Sequence, residues 1–292
     1  MSLVFACRKD PEFDPLNEVS RALGDSKVKL LKKGRAGDNN GALFETDSPR
    51  VQDQVFLRSA REGELGFDLI SAMKFPTLKK PGAVVLDMDM TSVQIEGIDE
   101  IARRLGVYEK VSEITSKAMH GGLDFKSSLR ERVAFLKGGS AGVIDDVRRI
   151  MKETPGLDLL MKKADEGAWK KGICSGGFTQ LICVLSDKYH LDMVRANTLE
   201  IKNGFLTGNV DGEITDATAK AEGVDEIIRM AGADKANSVV LGDGANDLMM
   251  IYKAGLGIAY HAKPLVREKA PAALNHSDLG AVALLLELSS EL

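Results

Sequence analysis

The stretch Ala83-Val84-Val85-Leu86-Asp87-Met88-Asp89-Met90-Thr91 decides the fold. Its first four residues are apolar, rich in valine and too few for a helix, so they read as a buried strand. The strand delivers two carboxylates, Asp87 and Asp89, and positions i and i+2 share a face of an extended chain. Two acids on one face repel each other unless a cation or a shared proton lies between them. In open α/β sheets, ligands bind at the carboxyl ends of the strands. The expectation is a strand end that holds a metal and carries a nucleophile. The plainer alternative is a strand exit with two solvated aspartates.

Working outward, Ile98, Ile101, Ala102 and Leu105 recur at helical spacing, and Gly106 stands where a C-cap belongs. Further helices are expected over 109–120, 124–136 and 141–152, with no strand between Gly97 and Glu153. An all-helical insert at about 97–152 then separates the first strand from the rest of its sheet. After Thr154-Pro155-Gly156, helical stripes alternate with apolar strands at 169–174, 238–241 and 257–259. That order implies a doubly wound, Rossmann-like parallel sheet with right-handed crossovers. Asn203-Gly204 favours a type I′ turn, so 198–201 and 205–210 should form a small antiparallel flap. Leu279, Val282, Ala283 and Leu286 predict a last amphipathic helix.

Upstream, residues 1–76 read as a small α/β accessory domain, with a strand at 28–31, turn material over 34–41 and a helix over 51–64. Residues 77–82, bounded by Pro76 and by Pro81-Gly82, read as a linker into a core of 83–292. Few contacts are expected to cross it, so the core should work without residues 1–76.

Composition narrows the class. A chain of 292 residues suggests about two domains, and 44% hydrophobic content is ordinary for a globular protein. The longest apolar run, Ala281 to Leu286, is far short of a membrane span. A net charge of −4 with interspersed signs argues against a nucleic-acid surface. Met1 to Phe13 carries no secretory pattern. Cys7, Cys174 and Cys183 have no metal spacing and read as free thiols of a reducing, cytoplasmic compartment. Cys174, at the end of an apolar strand, reads as a small core residue rather than a nucleophile.

Three later stretches join the first: Gly172-Ile173-Cys174-Ser175-Gly176-Gly177, the lone Lys220, and Val239-Val240-Leu241-Gly242-Asp243-Gly244-Ala245-Asn246-Asp247. With Asp-x-Asp-x-Thr, in this order, they resemble the four motifs of the haloacid dehalogenase superfamily of phosphatases. Four further stretches are similar to its phosphoserine phosphatase family. These are Gln94 to Ala102, Leu123-Asp124-Phe125 with Arg130-Glu131-Arg132-Val133, Ser175 to Thr179, and Gly255 to Pro264. The resemblance runs from Val84 to about Ala270.

The residue chemistry agrees with that resemblance. A carboxylate such as Asp87 can accept a phosphoryl group and later release it to water. Mg2+ suits the carboxylates of Asp87, Asp243 and Asp247, although Gly-Asp-Gly-Ala-Asn-Asp also suits a plain turn before a helix. The resemblance adds the backbone carbonyl of Asp89 as a ligand. The Asp89 side chain would be the acid/base. Ser175 and the amide of Gly176 fit a phosphate cradle, although Ser-Gly-Gly equally makes an N-cap. Lys220 gains a charge-balancing role only from its place between Ser175 and Asp243.

The resemblance further implies that Glu96 meets a substrate ammonium and Arg132 a carboxylate, that Met119 and Phe125 wall the pocket, and that Asn246 orders the phosphate. Met90, Ser92 and Gly97 depart from the family pattern at positions without a proposed catalytic role. The four histidines do not cluster at metal-ligand spacing; His120 lies in the insert beside Gly121, and His190, His261 and His276 read as surface or structural. The implied activity is Mg2+-dependent hydrolysis of O-phospho-L-serine to L-serine, the last step of serine biosynthesis, with a small molecule as the only partner and a homodimer left open. Another phosphomonoesterase or phosphotransferase of the same fold, and an inactive ligand-sensing protein, remain open alternatives.

Overall fold

The structure is a computed structural model. It describes residues 1–24, 27–119 and 124–292, and for residues 118 and 119 only the backbone. His120 and the side chain of Met119, both weighed above, therefore lie outside the described residues.

The chain begins with β1 (Ser2–Lys9), α1 (Pro15–Leu23), β2 (Val28–Ala36), β3 (Asn39–Thr46), α2 (Gln54–Glu62) and β4 (Asp68–Ala72). These strands form one antiparallel sheet in the order β2-β3-β1-β4. Val4, Ala6, Val19, Leu23, Ala42, Phe44 and Ala60 make a small core of their own between the sheet and its two helices.

The second sheet starts with β5 (Ala83–Leu86). The insert follows: α3 (Gly97–Arg104), α4 (Tyr108–Met119), α5 (Phe125–Ala134) and α6 (Val143–Ile150). Then come α7 (Leu157–Glu166), β6 (Lys170–Phe178), α8 (Thr179–Tyr189), β7 (Met193–Lys202), β8 (Phe205–Asp211), α9 (Ala217–Met230) and β9 (Ser238–Gly242). The chain closes with α10 (Leu248–Lys253), β10 (Leu256–Tyr260), α11 (Pro264–Lys269), β11 (Ala272–Leu274) and α12 (Gly280–Ser290).

The sheet order is β11-β10-β9-β5-β6-β7-β8, parallel except for β8. β5 lies at its centre because both its faces are apolar. Val84 and Leu86 enter one core cluster, Ala83 and Val85 the other. The chain order reverses around this strand, which opens a crevice at its carboxyl end. The flap forms as the turn residues dictate, with Asn203 at φ 52° and Gly204 at φ 81°, both values that a type I′ turn needs. Its tip is sewn to the insert: Gly138 N–H donates to the Leu206 carbonyl (2.9 Å), Leu206 N–H to Gly139 (2.8 Å) and Ala141 N–H to Gly204 (2.8 Å).

Three expectations fail. The turn expected over 34–41 shrinks to residues 37 and 38, because β2 runs on to Ala36 and pairs with β3 from Asn39. The last helix, α12, is not amphipathic: Ala281, Val282, Ala283, Leu284, Leu285, Leu286 and Leu288 are all buried. The reason is that the first sheet lies against it, and Leu284 and Leu288 reach Gly34 of β2. Nor are contacts across the linker few. The largest core cluster joins Phe5, Cys7, Leu43 and Ile70 to Leu284, Leu285 and Leu288. Asp278 pairs with Lys9 (2.9 Å) and accepts from Asn39 (2.5 Å), and buried Asp68 accepts from the amides of Asn275 and His276. The linker itself is held by Asn237, whose side chain bonds Thr77, Lys80 and Pro81.

Candidate active site

Asp87 follows the last residue of β5, and its N–H extends the ladder by one bond, to the Leu241 carbonyl (3.0 Å). The chain then turns at once. The amides of Thr91, Ser92 and Val93 all converge on the Met88 carbonyl, and Met90 takes a left-handed φ of 55°. Asp87 and Asp89 therefore meet through a turn rather than along a strand face, as the i, i+2 argument had it. Both still line the same cavity of about 320 Å³. Ser92 closes the turn by donating its hydroxyl to the Asp87 carbonyl (2.5 Å). It is one of the family departures, and here it satisfies an acceptor that β5 no longer pairs.

Lys220 lies in the first turns of α9, after the N-cap Asp216, and is wholly buried. Its ammonium is 2.5 Å from Asp247 Oδ1 and 3.0 Å from Asp87 Oδ1. Burial alone would lower its pKa, but Asp247 and Asp87 outweigh that and hold it above the ordinary lysine value. The contact with Asp87 is an ion pair without hydrogen-bond alignment, so Oδ1 remains buried with no aligned donor.

Asp243 and Asp247 leave the end of β9, beside β5. The carboxylates of Asp87, Asp243 and Asp247 offer oxygens that all lie within 4.8 Å of one another. The Asp243 carboxyl is pushed up to about 7 by burial first, then by Asp247, Asp87 and Glu96. Thr91 tethers it, donating its hydroxyl to Oδ1 (3.4 Å), and Asp247 accepts from the Gly244 amide (2.9 Å). Three crowded carboxylates with one lysine among them are short of positive charge. That deficit fits a hard divalent cation held by these three groups.

Asp89 is a different acid. It is pushed well above the usual carboxylate range by burial, then by Glu96 and Asp87, and the Gly97 amide donates to it (3.1 Å). That amide opens α3. A side chain at Gly97 would strike Leu181 at 2.6 Å, so the glycine suits this packing. Asp89 is thus set to carry a proton.

Ser175 and Gly176 lie on the same cavity, in the irregular end of β6. Ser175 Oγ accepts from Gly177 N–H (2.9 Å). Buried Asn197 holds the Gly176 carbonyl through its amide (2.8 Å) and accepts from Thr215 N–H (2.8 Å). It thereby fixes which way the Gly176 to Gly177 peptide faces. Sequence reasoning missed Asn197. Its only signal was an amide side chain inside a strand.

The insert supplies the cavity's roof. Phe125, at the start of α5, packs on Gly176 so closely that a methyl group there would fall 2.8 Å from the ring. Arg132 and Glu96 line the wall, and Asn246 lines the floor. Burial lowers the pKa of Arg132 against the pull of Asp99, Glu96 and Asp89. Burial raises that of Glu96, aided by Asp99 and Asp87. Lys263, part of the Gly255 to Pro264 stretch but given no role from the sequence, also lines the cavity. Cys174, by contrast, is a core residue whose thiol burial pushes up to about 12. His261 and His276 bond the carbonyls of Ser277 and Gly63, away from the cavity.

Comparison with known proteins gives the same grouping. The chain is 45% identical over 222 residues to the phosphoserine phosphatase of Vibrio cholerae, a match covering 76% of this chain and 68% of that one. The unliganded structure of a probable phosphoserine phosphatase from Vibrio cholerae superposes with a TM-score of 0.82 at 37% identity, covering 99% and 86% of the two chains. A phospho-aspartyl intermediate analogue of a phosphoserine phosphatase superposes with a TM-score of 0.64 at 39% identity, covering 69% and 96%. Residues 84–251, which carry every motif assembled around this cavity, match the haloacid dehalogenase-like hydrolase family, and the chain belongs to that family.

Proposed function

We propose that this chain hydrolyses O-phospho-L-serine to L-serine and phosphate through an aspartyl phosphate on Asp87, with Mg2+, as the last step of serine biosynthesis. The observation that carries the reading is one cavity with two chemistries. Its floor holds Asp87, Asp89, Ser175, Gly176 and Asp243, and its wall holds Glu96 and Arg132. The floor suits a phosphoryl group, and the wall suits the ammonium and carboxylate of an amino acid. The names of the similar proteins point to the same substrate.

In this reading, a carboxylate oxygen of Asp87 attacks phosphorus and the bond to the serine oxygen breaks. Protonated Asp89 gives its proton to that leaving oxygen. Water then attacks the aspartyl phosphate, Asp89 takes the water's proton, and phosphate leaves with the Asp87 carboxylate restored. Lys220 holds Asp87 and Asp247 in place and offsets charge. Ser175, the Gly176 amide and Asn246 hold the phosphate oxygens. Asp87, Asp243, Asp247 and the Asp89 carbonyl would hold Mg2+, which when bound neutralises charge on the transferring phosphoryl group. Phe125 excludes water over the cavity. A division into an accessory part (1–76), a linker (77–82) and a core (83–292) with an inserted cap belongs to this reading, as does a cytoplasmic setting for three free thiols.

The test is phosphate release from a panel of phosphomonoesters with Mg2+ and with excess chelator. Phosphoserine should lead the panel, and chelation should abolish turnover. A better small phosphomonoester would replace the substrate assignment, and full turnover in chelator would remove the metal.

A further inference from the structure

Lys263 is the charged residue of the cavity that the chemistry above leaves unused. It lines the cavity beside Glu96 and Asp243. Its backbone is tied down: the N–H donates to the Asp243 carbonyl (3.3 Å), and Pro264 follows at the start of α11. The side chain is exposed, and Lys263 takes part in no ion pair among the described residues. Its ammonium is near enough to act on the charges of Glu96 and Asp243.

The charges around it show why that matters. Asp87, Asp89, Glu96, Asp243 and Asp247 crowd the site, and Asp99 acts on Glu96 and Arg132. Lys220 and Arg132 already face these carboxylates. A phosphorylated amino acid arrives with two net negative charges. Lys263 is the cation on the cavity's open side, where a field still reaches outward through solvent. We propose that Lys263 is a binding residue that draws the anionic phosphomonoester into the cavity, acting on substrate capture and not on the phosphoryl-transfer step. This builds on the proposed phosphomonoesterase reading.

The test uses the full-length chain with Mg2+ and the variants Lys263→Met, Lys263→Arg and Lys263→Glu. Phosphoserine and phosphoethanolamine, which lacks the carboxylate charge, are compared at low and high ionic strength. At low salt, Lys263→Met should raise KM for phosphoserine about 3–10-fold, with kcat within about twofold of the parent. The change should be smaller for phosphoethanolamine and should fade at high salt. Lys263→Arg should restore KM, and Lys263→Glu should exceed the Met effect. An unchanged KM, an equal and salt-independent loss on both substrates, or a collapse of kcat at constant KM would each overturn the proposal. Calorimetric titration with inorganic phosphate and Mg2+ separates the two readings. Phosphate affinity that follows the charge at position 263 in a chain without phosphoserine turnover would sink the substrate assignment and keep Lys263. Phosphate affinity indifferent to that charge would sink Lys263 alone.

Discussion

Deleting residues 1–76 should cripple the core, against what the linker composition suggests. The first sheet and the core meet at α12. Leu284 and Leu288 lie under Gly34 of β2 and are buried. Removing the first sheet bares both, and exposing a fully buried leucine costs about 1.5–3 kcal/mol, so the pair alone contributes roughly 3–6 kcal/mol. Asp278 also loses Lys9 and Asn39, and the amides of Asn275 and His276 lose the Asp68 carboxylate. Bonds to a charged partner are worth about 1.5–3 kcal/mol each, although amides newly reached by water recover part of that. A domain typically has about 5–15 kcal/mol in total, so the loss takes a large share of it. Urea unfolding and size-exclusion chromatography of a chain starting at Thr77 measure the effect. It should aggregate or melt at least about 10 °C below the full chain. Replacing Leu284 with Gln and Leu288 with Lys should improve the solubility of the short chain while weakening the long one. A short chain that is monomeric and melts within about 5 °C of the parent would show that α12 does not depend on the first sheet.

Asp87→Asn should abolish both turnover and phosphoenzyme. Asp89→Asn should slow phosphoserine hydrolysis by roughly 10²–10⁴ yet give a stoichiometric nitrophenol burst from p-nitrophenyl phosphate, whose leaving group needs no proton; steady parent-like turnover would remove Asp89 from the mechanism. Arg132→Ala should weaken transition-state binding of phosphoserine by about 2–4 kcal/mol and leave phosphoethanolamine nearly unaffected, so equal losses in kcat/KM would reassign Arg132 to the fold. Asp243, raised to about 7 when folded, binds more protons in the folded chain than in the unfolded one at intermediate pH. Its contribution to stability is complete at low pH and is lost as the pH rises through about 7. Mg2+ competes with that proton, so the gain in melting temperature on adding Mg2+ should be larger at about pH 7.5 than at about pH 5; equal gains would remove Asp243 from the metal site.

The strand before Asp87 was legible because a valine-rich run buried on both faces has few other readings. The hairpin at Asn203-Gly204 was legible because only certain residues accept two positive φ values. The motif residues were legible as a combination, each being weak alone. What escaped was set by tertiary partners. β2 reads as a short strand because Lys29, Lys32, Lys33 and Arg35 interrupt it, yet it runs to Ala36 as an edge strand whose charged side chains face solvent. β1 and β4 gave no pattern, since α1 and α2 cover one side of their sheet and α12 the other. The stripe read on α12 assumed a solvent side that the first sheet removes. Asn197 and Lys263 are ordinary residues in sequence, and only the folded chain puts them beside Gly176 and Asp243.

The seam between the flap and the insert has a mechanical consequence. The three backbone bonds at Gly138, Leu206 and Ala141 fasten the segment that follows α5 to the edge of the seven-stranded sheet. Arg132 stands near that fastened end, and Phe125 stands at the other end of the same helix. A helix fastened by backbone bonds at one end, and latched at the other by the Lys126–Asp216 pair (2.9 Å) and the Phe125 ring, would open like a door at the latch. Substrate would then pass at Phe125 while the guanidinium stays nearly in place as a fixed anchor. Amide hydrogen exchange reads this directly: the Gly138, Ala141 and Leu206 protons should exchange only when the whole chain unfolds, whereas amides of the first turn of α5 should exchange each time the door swings.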